Sequence, residues 1–189
     1  MNLPNILTLL RILFIPLLVV VCYLPIPERY LLSGAIFGLA ALTDWFDGYL
    51  ARKWNQETPF GAFLDPVADK LIVAVALVLI LESRPSILIA LPVMTIVCRE
   101  ILISALREWM AEMGKRTSVA VSWIGKIKTT LQMIAIAVLL LADPALKGLV
   151  GWLNDIGVVL LYVAALLTLW SMTVYLKAAW PELSAPPEK

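Results

Sequence analysis

Thr43-Asp44-Trp45-Phe46-Asp47-Gly48-Tyr49-Leu50-Ala51-Arg52 and, after eight intervening residues, Gly61-Ala62-Phe63-Leu64-Asp65-Pro66-Val67-Ala68-Asp69-Lys70 place four aspartates next to strongly apolar sequence. Asp44 and Asp47 are three residues apart, and Asp65 and Asp69 four apart. Both spacings put side chains on one helix face about one turn from each other. At about 100° per residue, Gly48 and Ala51 fall on the face of the first pair and Gly61 on that of the second. A glycine inside a helix costs about 1 kcal/mol relative to alanine. Two of them beside carboxylates imply that a ligand approaches the backbone closely.

Four ionised carboxylates that converge repel one another, and Arg52, Lys53 and Lys70 supply only part of the compensating charge. Divalent cations resolve this. Oxygen-only ligands select hard ions such as Mg²⁺ or Mn²⁺, and two of them about 4 Å apart form a clamp used in phosphoryl transfer. The chain has no histidine, which disfavours zinc and removes the Ser-His and Cys-His nucleophile arrangements.

The surrounding chain reads as membrane protein. Of 189 residues 61% are hydrophobic, and the mean hydropathy is +0.91, well beyond a soluble globular domain. A net charge of +1 without a basic run interleaved with aromatics argues against nucleic acid. Cys22 and Cys98 lie in apolar segments without metal-ligand spacing.

Taken in order, Asn5 is a candidate N-cap for an apolar run to Leu24, with Pro16 as a kink and Arg11 snorkelling to a headgroup. The run lacks the basic flank and cleavage site of a signal peptide, so it is expected to be retained. Tyr30 to Thr43 is too short to span alone, so the helix continues through Asp44 and Asp47 to about Arg52. The aspartates therefore lie near one interface, with Trp45 and Tyr49 at interfacial depth. The connector Lys53–Pro59 is short enough to make the next helix, from Gly61 to Leu81, an antiparallel neighbour that brings the second aspartate pair against the first. Pro66 is expected in its opening turns.

Further spans are predicted over Ile87–Trp109, Trp123–Leu141 and Ile156–Leu176. Ala111–Val121 reads as an interfacial connector, and Leu149–Asp155 as a surface segment. The expectation is an all-α integral membrane protein of six transmembrane helices with an N-terminal juxtamembrane segment. Residues 1–180 form a single catalytic domain, and residues 181–189 a tail of disordered composition. Ten Lys and Arg residues fall on the side of the termini, Arg11 and Lys128 among them, against three, Arg29, Arg84 and Lys147, on the other. The positive-inside rule then sets both termini and the aspartates toward the cytoplasm.

Asp44, Asp47, Gly48, Ala51, Arg52, Gly61, Asp65 and Asp69 together resemble the signature of the CDP-alcohol phosphotransferase family, Asp-x-x-Asp-Gly-x-x-Ala-Arg, eight residues, then Gly-x-x-x-Asp-x-x-x-Asp. The resemblance implies that Asp44, Asp47 and Asp65 hold one metal and Asp44, Asp65 and Asp69 the other. It makes Asp69 the base for the acceptor hydroxyl, and Gly48, Ala51 and Gly61 the wall that admits the cytidine diphosphate. Arg52 belongs to the same signature, with helix-end snorkelling as its other reading. The implied donor is CDP-diacylglycerol, and the family's habit implies a homodimer in a bacterial inner membrane.

Arg99, Arg107, Lys126 and Lys128 bring cations to the half of the bundle that holds the carboxylates, which suits a phosphorylated acceptor. Arg99, mid-helix, is the leading phosphate contact, with an internal pair to a carboxylate as its alternative. Lys126 and Lys128 are about 200° apart on a helix, so one of them faces a ligand at a time. The stretches Asn5–Arg11, Arg99–Arg107 and Gly125–Met133 resemble family members that use sn-glycerol 3-phosphate and form phosphatidylglycerophosphate. Serine or inositol phosphate remain as other acceptors. Outside enzymes the alternative is a divalent-cation transporter, although no acidic residue marks the midplane of the other spans.

Overall fold

The computed structural model describes the backbone of residues 3–54, 59–113, 123–146 and 148–183. They form six helices: α1 (Leu3–Tyr23), α2 (Arg29–Trp54), α3 (Pro59–Ser83), α4 (Ile87–Glu112), α5 (Trp123–Leu141) and α6 (Leu149–Leu183). Among the described residues there is no strand. Stretches of α1 (Ile6–Tyr23), α4 (Ile87–Glu112) and α6 (Gly151–Trp180) are long and apolar enough to cross a membrane, and α5 adds the shorter apolar run Ile127–Leu141. The protein is an all-α membrane protein.

The helix ends differ from the sequence reading in informative places. α1 begins at Leu3, so Asn5 lies in its first turn rather than at its cap, and the helix runs unbroken through Pro16. α3 begins at Pro59, which moves Pro66 from the opening turn into the helix body, where it cannot donate to the carbonyl four residues earlier. α4 starts at a cap that the sequence reading passed over: extended Ser86 accepts from the Leu88 amide at 3.3 Å.

Leu149–Asp155 is not a separate segment ahead of the last span. It is the first part of α6, a helix of 35 residues. The Asp143 carboxylate accepts from the Ala145 amide at 2.9 Å, and the Asp143 carbonyl from Leu146 at 3.2 Å, closing a turn. Gly148 then takes the left-handed conformation at φ 78°, and its carbonyl accepts from Trp152, so the helix starts at once. At 1.5 Å per residue α6 is about 52 Å long, more than the ~30 Å hydrocarbon core, so it projects past one interface. It reaches Leu183, three residues into the stretch whose composition suggested a tail.

Leu18, Phe37, Ile72, Leu77, Ile80, Ile96, Ile136, Leu139 and Leu161 form the apolar core. α5 packs on α6 and α2, while α1 lies across α2 and α3 and α4 rests on α6 and α3. Small residues let the backbones approach, as they do where lipid offers no hydrophobic drive between helices. A Cβ at Gly157 would lie 2.7 Å from Leu139 Cγ, and one at Gly34 would collide with Leu141. Among the described residues α4 makes no close backbone approach to α2 or α5. That separation leaves the bundle open on the side where the site lies.

The opposite end is closed by Arg84, which follows α3. Its guanidinium donates to Asn154 Oδ1 at 2.7 Å, Ser83 Oγ at 2.9 Å and the Leu139 carbonyl at 2.7 Å, and also to the Ala142 carbonyl. A cation thus satisfies the terminal carbonyls of α5 where the helix dipole is negative. Burial pushes the Arg84 guanidinium below its ordinary pKa, while Tyr30 and Asp143 pull it back up. Arg84→Met leaves these carbonyls buried and unpaired, and is expected to lower stability by about 2–3 kcal/mol. The check is thermal unfolding of purified protein in detergent, with Ser83→Ala as a milder control.

Candidate functional site

Position along each helix sets the depth at which its charged groups lie. Asp44 lies ten residues from the end of α2, Asp69 ten from the start of α3 and Arg11 eight from the start of α1. At 1.5 Å per residue these positions are about 12 to 15 Å inside the same end of the bundle. They form one layer. Arg11 Nη1 donates to Asp44 Oδ1 at 3.0 Å and to Asp69 Oδ1. One turn earlier on the same face of α1, the Thr8 hydroxyl donates to Asp65 Oδ1. Three of the four sequence-selected aspartates are therefore gathered by α1.

Arg11 is not a headgroup contact. Its side chain is 1% exposed, whereas those of Asp44 and Asp69 are 46% and 44% exposed. The guanidinium lies behind the carboxylates, and their other faces open outward. An unpaired buried arginine and two adjacent unpaired carboxylates would each be costly; together they offset one another. Thr8 and Arg11, three apart inside an apolar helix, were the available signal for this role. Their partners, 57 and 58 residues away, left no trace in local sequence.

The carboxylates open on a cavity of about 630 Å³ between α2, α3, α4 and α5. Asp44, Asp69, Lys70 and Glu100 give it a charged part, and Phe37, Leu77, Ile96, Val97 and Met133 an apolar part. The combination suits a ligand with a charged head and a greasy remainder. Across the cavity from the aspartates, Glu100 Oε1 accepts from Arg99 Nη1 at 2.7 Å and from Lys128 Nζ at 3.1 Å. Lys128 reaches from α5 to α4 and so spans the gap between helices whose backbones stay apart.

Arg99 turns away from this cavity. Its second nitrogen donates to Ser171 Oγ on α6 at 2.8 Å, and the guanidinium lies 6.0 Å from the centre of the Tyr175 ring. The internal carboxylate pair, weighed above as the alternative for Arg99, is the arrangement present. Lys128 is buried on the same carboxylate, and Arg107 is exposed on the last turns of α4. Gly61 is buried at the start of α3. The side chains of Asp47, Ala51, Arg52 and Lys126, and the surroundings of Gly48, lie outside the described residues.

Among the described residues no three acidic, cysteine or histidine side chains converge on one metal-sized position. The donor set nevertheless fits hard divalent cations. It consists of carboxylate oxygens alone, two of them already share a cationic group, and Asp65 lies one turn from Asp69 on the same helix.

The fold and site define a membrane-embedded helical protein whose acidic cluster opens on a cavity with charged and apolar walls. The sequence profile of the CDP-alcohol phosphatidyltransferase family matches residues 1–170. The chain is 58% identical over 182 residues to a protein of Salmonella typhimurium (strain LT2) named CDP-diacylglycerol–glycerol-3-phosphate 3-phosphatidyltransferase, covering 96% of this chain and 97% of the relative. A protein of the same name from Escherichia coli (strain K12) is 57% identical over the same coverage. The chain belongs to the CDP-alcohol phosphatidyltransferase family.

Arg11 has a measurable consequence. Arg11→Met leaves Asp44 and Asp69 facing each other without their shared cation, and is expected to lower turnover at least tenfold, about 1.4 kcal/mol or more in the barrier. Arg11→Lys, which keeps the charge but loses the fork, should fall between. Activity of membranes carrying each variant at matched expression, with melting temperature measured alongside, checks the ordering.

Proposed function

We propose that this protein transfers the phosphatidyl group from CDP-diacylglycerol to sn-glycerol 3-phosphate, giving phosphatidylglycerophosphate and CMP, in anionic phospholipid biosynthesis. The observation that carries the reading is the pair of carboxylates of Asp44 and Asp69, bridged by Arg11 with Asp65 one turn away, opening on a cavity that is charged at one part and apolar at another. Family membership and the relatives' names support the choice of donor and acceptor.

Asp44, Asp47, Asp65 and Asp69 are the residues to hold two divalent cations, Mg²⁺ or Mn²⁺. When bound, such ions neutralise the diphosphate and offset charge developing on the transferred phosphoryl group. Gly48, Ala51 and Gly61 are the residues to admit the cytidine diphosphate, and Arg52 belongs with them by the same signature. Asp69 takes the proton from the acceptor's primary hydroxyl. That oxygen forms a bond to the phosphorus of the diacylglycerol phosphate, the bond from this phosphorus to the bridging oxygen breaks, and CMP leaves with the electron pair. Arg11 holds Asp69 and Asp44 in register while this happens.

The acceptor's phosphate belongs with the cationic set of Arg99, Arg107, Lys126 and Lys128. Of these, Lys128 stands on the cavity-lining Glu100, and Arg99 acts through the same carboxylate. The protein works as a homodimer in the bacterial inner membrane, with site and termini toward the cytoplasm. Arg11 and Lys128 lie inside the bundle rather than in loops, yet the excess of Lys and Arg at the site end survives their removal.

Purified protein supplied with CDP-diacylglycerol should release CMP rapidly with sn-glycerol 3-phosphate and poorly with glycerol, serine or inositol phosphate. Asp44→Asn and Asp65→Asn should reduce that release by orders of magnitude while the fold persists, and a chelator should do the same reversibly. Equal use of glycerol and glycerol 3-phosphate would contradict the phosphate reading, and cation flux without CMP release would favour a transporter.

A further inference from the structure

Gln132 is left over when the cavity's polar groups are assigned. It lies on α5, lines the same cavity as Asp69 and Glu100, and is 5% exposed. Its side-chain oxygen is buried with no hydrogen-bond partner. Buried amides are almost always satisfied, so an unmet one on a residue that lines a cavity leaves a place where a ligand can supply the partner. A flip of the amide exchanges its carbonyl and NH2 ends, so it can offer a ligand hydroxyl either an acceptor or a donor.

Position narrows the ligand. Gln132 is nine residues from the start of α5 and Glu100 twelve from the end of α4, about 14 and 18 Å inside the end of the bundle that also holds the aspartate layer. Lys128 is one turn earlier on the face of Gln132, about 6 Å along the axis, and is fixed by Glu100. If the acceptor's phosphate is held near Lys128, as proposed above, a hydroxyl met by Gln132 would lie a few bonds from it. The donor's expected contacts are on α2 and α3, so this wall is left for the acceptor.

We propose that Gln132 is a specificity-determining residue that hydrogen-bonds the non-reacting secondary hydroxyl of a glycerol phosphate acceptor. The inference rests on the phosphatidyl-transfer reading above. It explains a buried polar residue of α5 whose side-chain oxygen has no partner within the fold. It also separates two tasks on one wall: the cations select for phosphate, and Gln132 selects for the polyol.

The test compares two acceptors with native protein, Gln132→Met and Gln132→Glu in the same detergent: sn-glycerol 3-phosphate and 3-hydroxypropyl phosphate, which lacks the secondary hydroxyl. Native protein should prefer glycerol 3-phosphate in kcat/KM by about tenfold or more. Gln132→Met should lose that preference through a raised acceptor KM while keeping its activity on 3-hydroxypropyl phosphate, which also reports an intact fold. Gln132→Glu, which retains an acceptor oxygen, should recover part of the preference. Absence of preference in the native protein overturns the proposal. So does an equal loss on both acceptors in both variants, or an effect confined to the KM for CDP-diacylglycerol, which would place Gln132 at the nucleotide. No CMP release by native protein with any acceptor would overturn the phosphatidyl-transfer reading itself, and this proposal with it.

Discussion

The bridge from Arg11 to Asp44 and Asp69 is the constraint on which the rest of this bundle depends. Three helices that share a largely apolar environment could slide or rotate past one another at little cost, because lipid and leucine are equally apolar. Charges inside a membrane protein remove that freedom. Each of these groups is disfavoured unless it meets its partners, so the register of α1 against α2 and α3 is fixed at the layer where the bridge forms. Thr8 on Asp65 repeats the device one turn away.

The same bridge explains how a charged site can exist among helices that are otherwise greasy. Arg11 lies behind the carboxylates, and the carboxylates are half open toward the cavity. Charge is thus balanced from the protein side, while the outward faces keep their lone pairs for ligands. Glu100 mirrors this arrangement on the other wall, with one carboxylate between Arg99 and Lys128. An acidic wall backed by a buried cation thus faces a second carboxylate, Glu100, backed by two buried cations. Between them lies space for a reaction in which negative charge moves from one phosphate-bearing molecule to another.

Much of this was legible in the sequence because helical periodicity turns spacing into geometry. Asp44 and the pair Asp65 and Asp69 could be assigned to neighbouring faces near one end of the bundle, since Tyr30–Thr43 is too short to span alone. The positions of the helices α2 to α5 followed from apolar run lengths. The site's second half was not legible. Arg11 pairs across 58 residues and Lys128 with Glu100 across 28, and local pattern carries no record of such partners; Arg11 was therefore read as a headgroup contact. Arg99 pointed to a ligand because a mid-helix charge needs a partner, yet Glu100 and Ser171 supply it. The start of α6 was misplaced because its polar residues, Asn154 and Asp155, suggested a surface. Asn154 in fact receives Arg84, a contact between elements 70 residues apart.

The proposed cation site at the aspartates, with its charge shared between Arg11 and divalent ions, is open to electron paramagnetic resonance of Mn²⁺ titrated into purified protein, which reads binding rather than turnover. Saturable Mn²⁺ binding by the native protein is expected, with its loss in Asp44→Asn and Asp65→Asn variants that melt at the native temperature. Undiminished binding by those variants, or none by native protein that is active, would rule the site out.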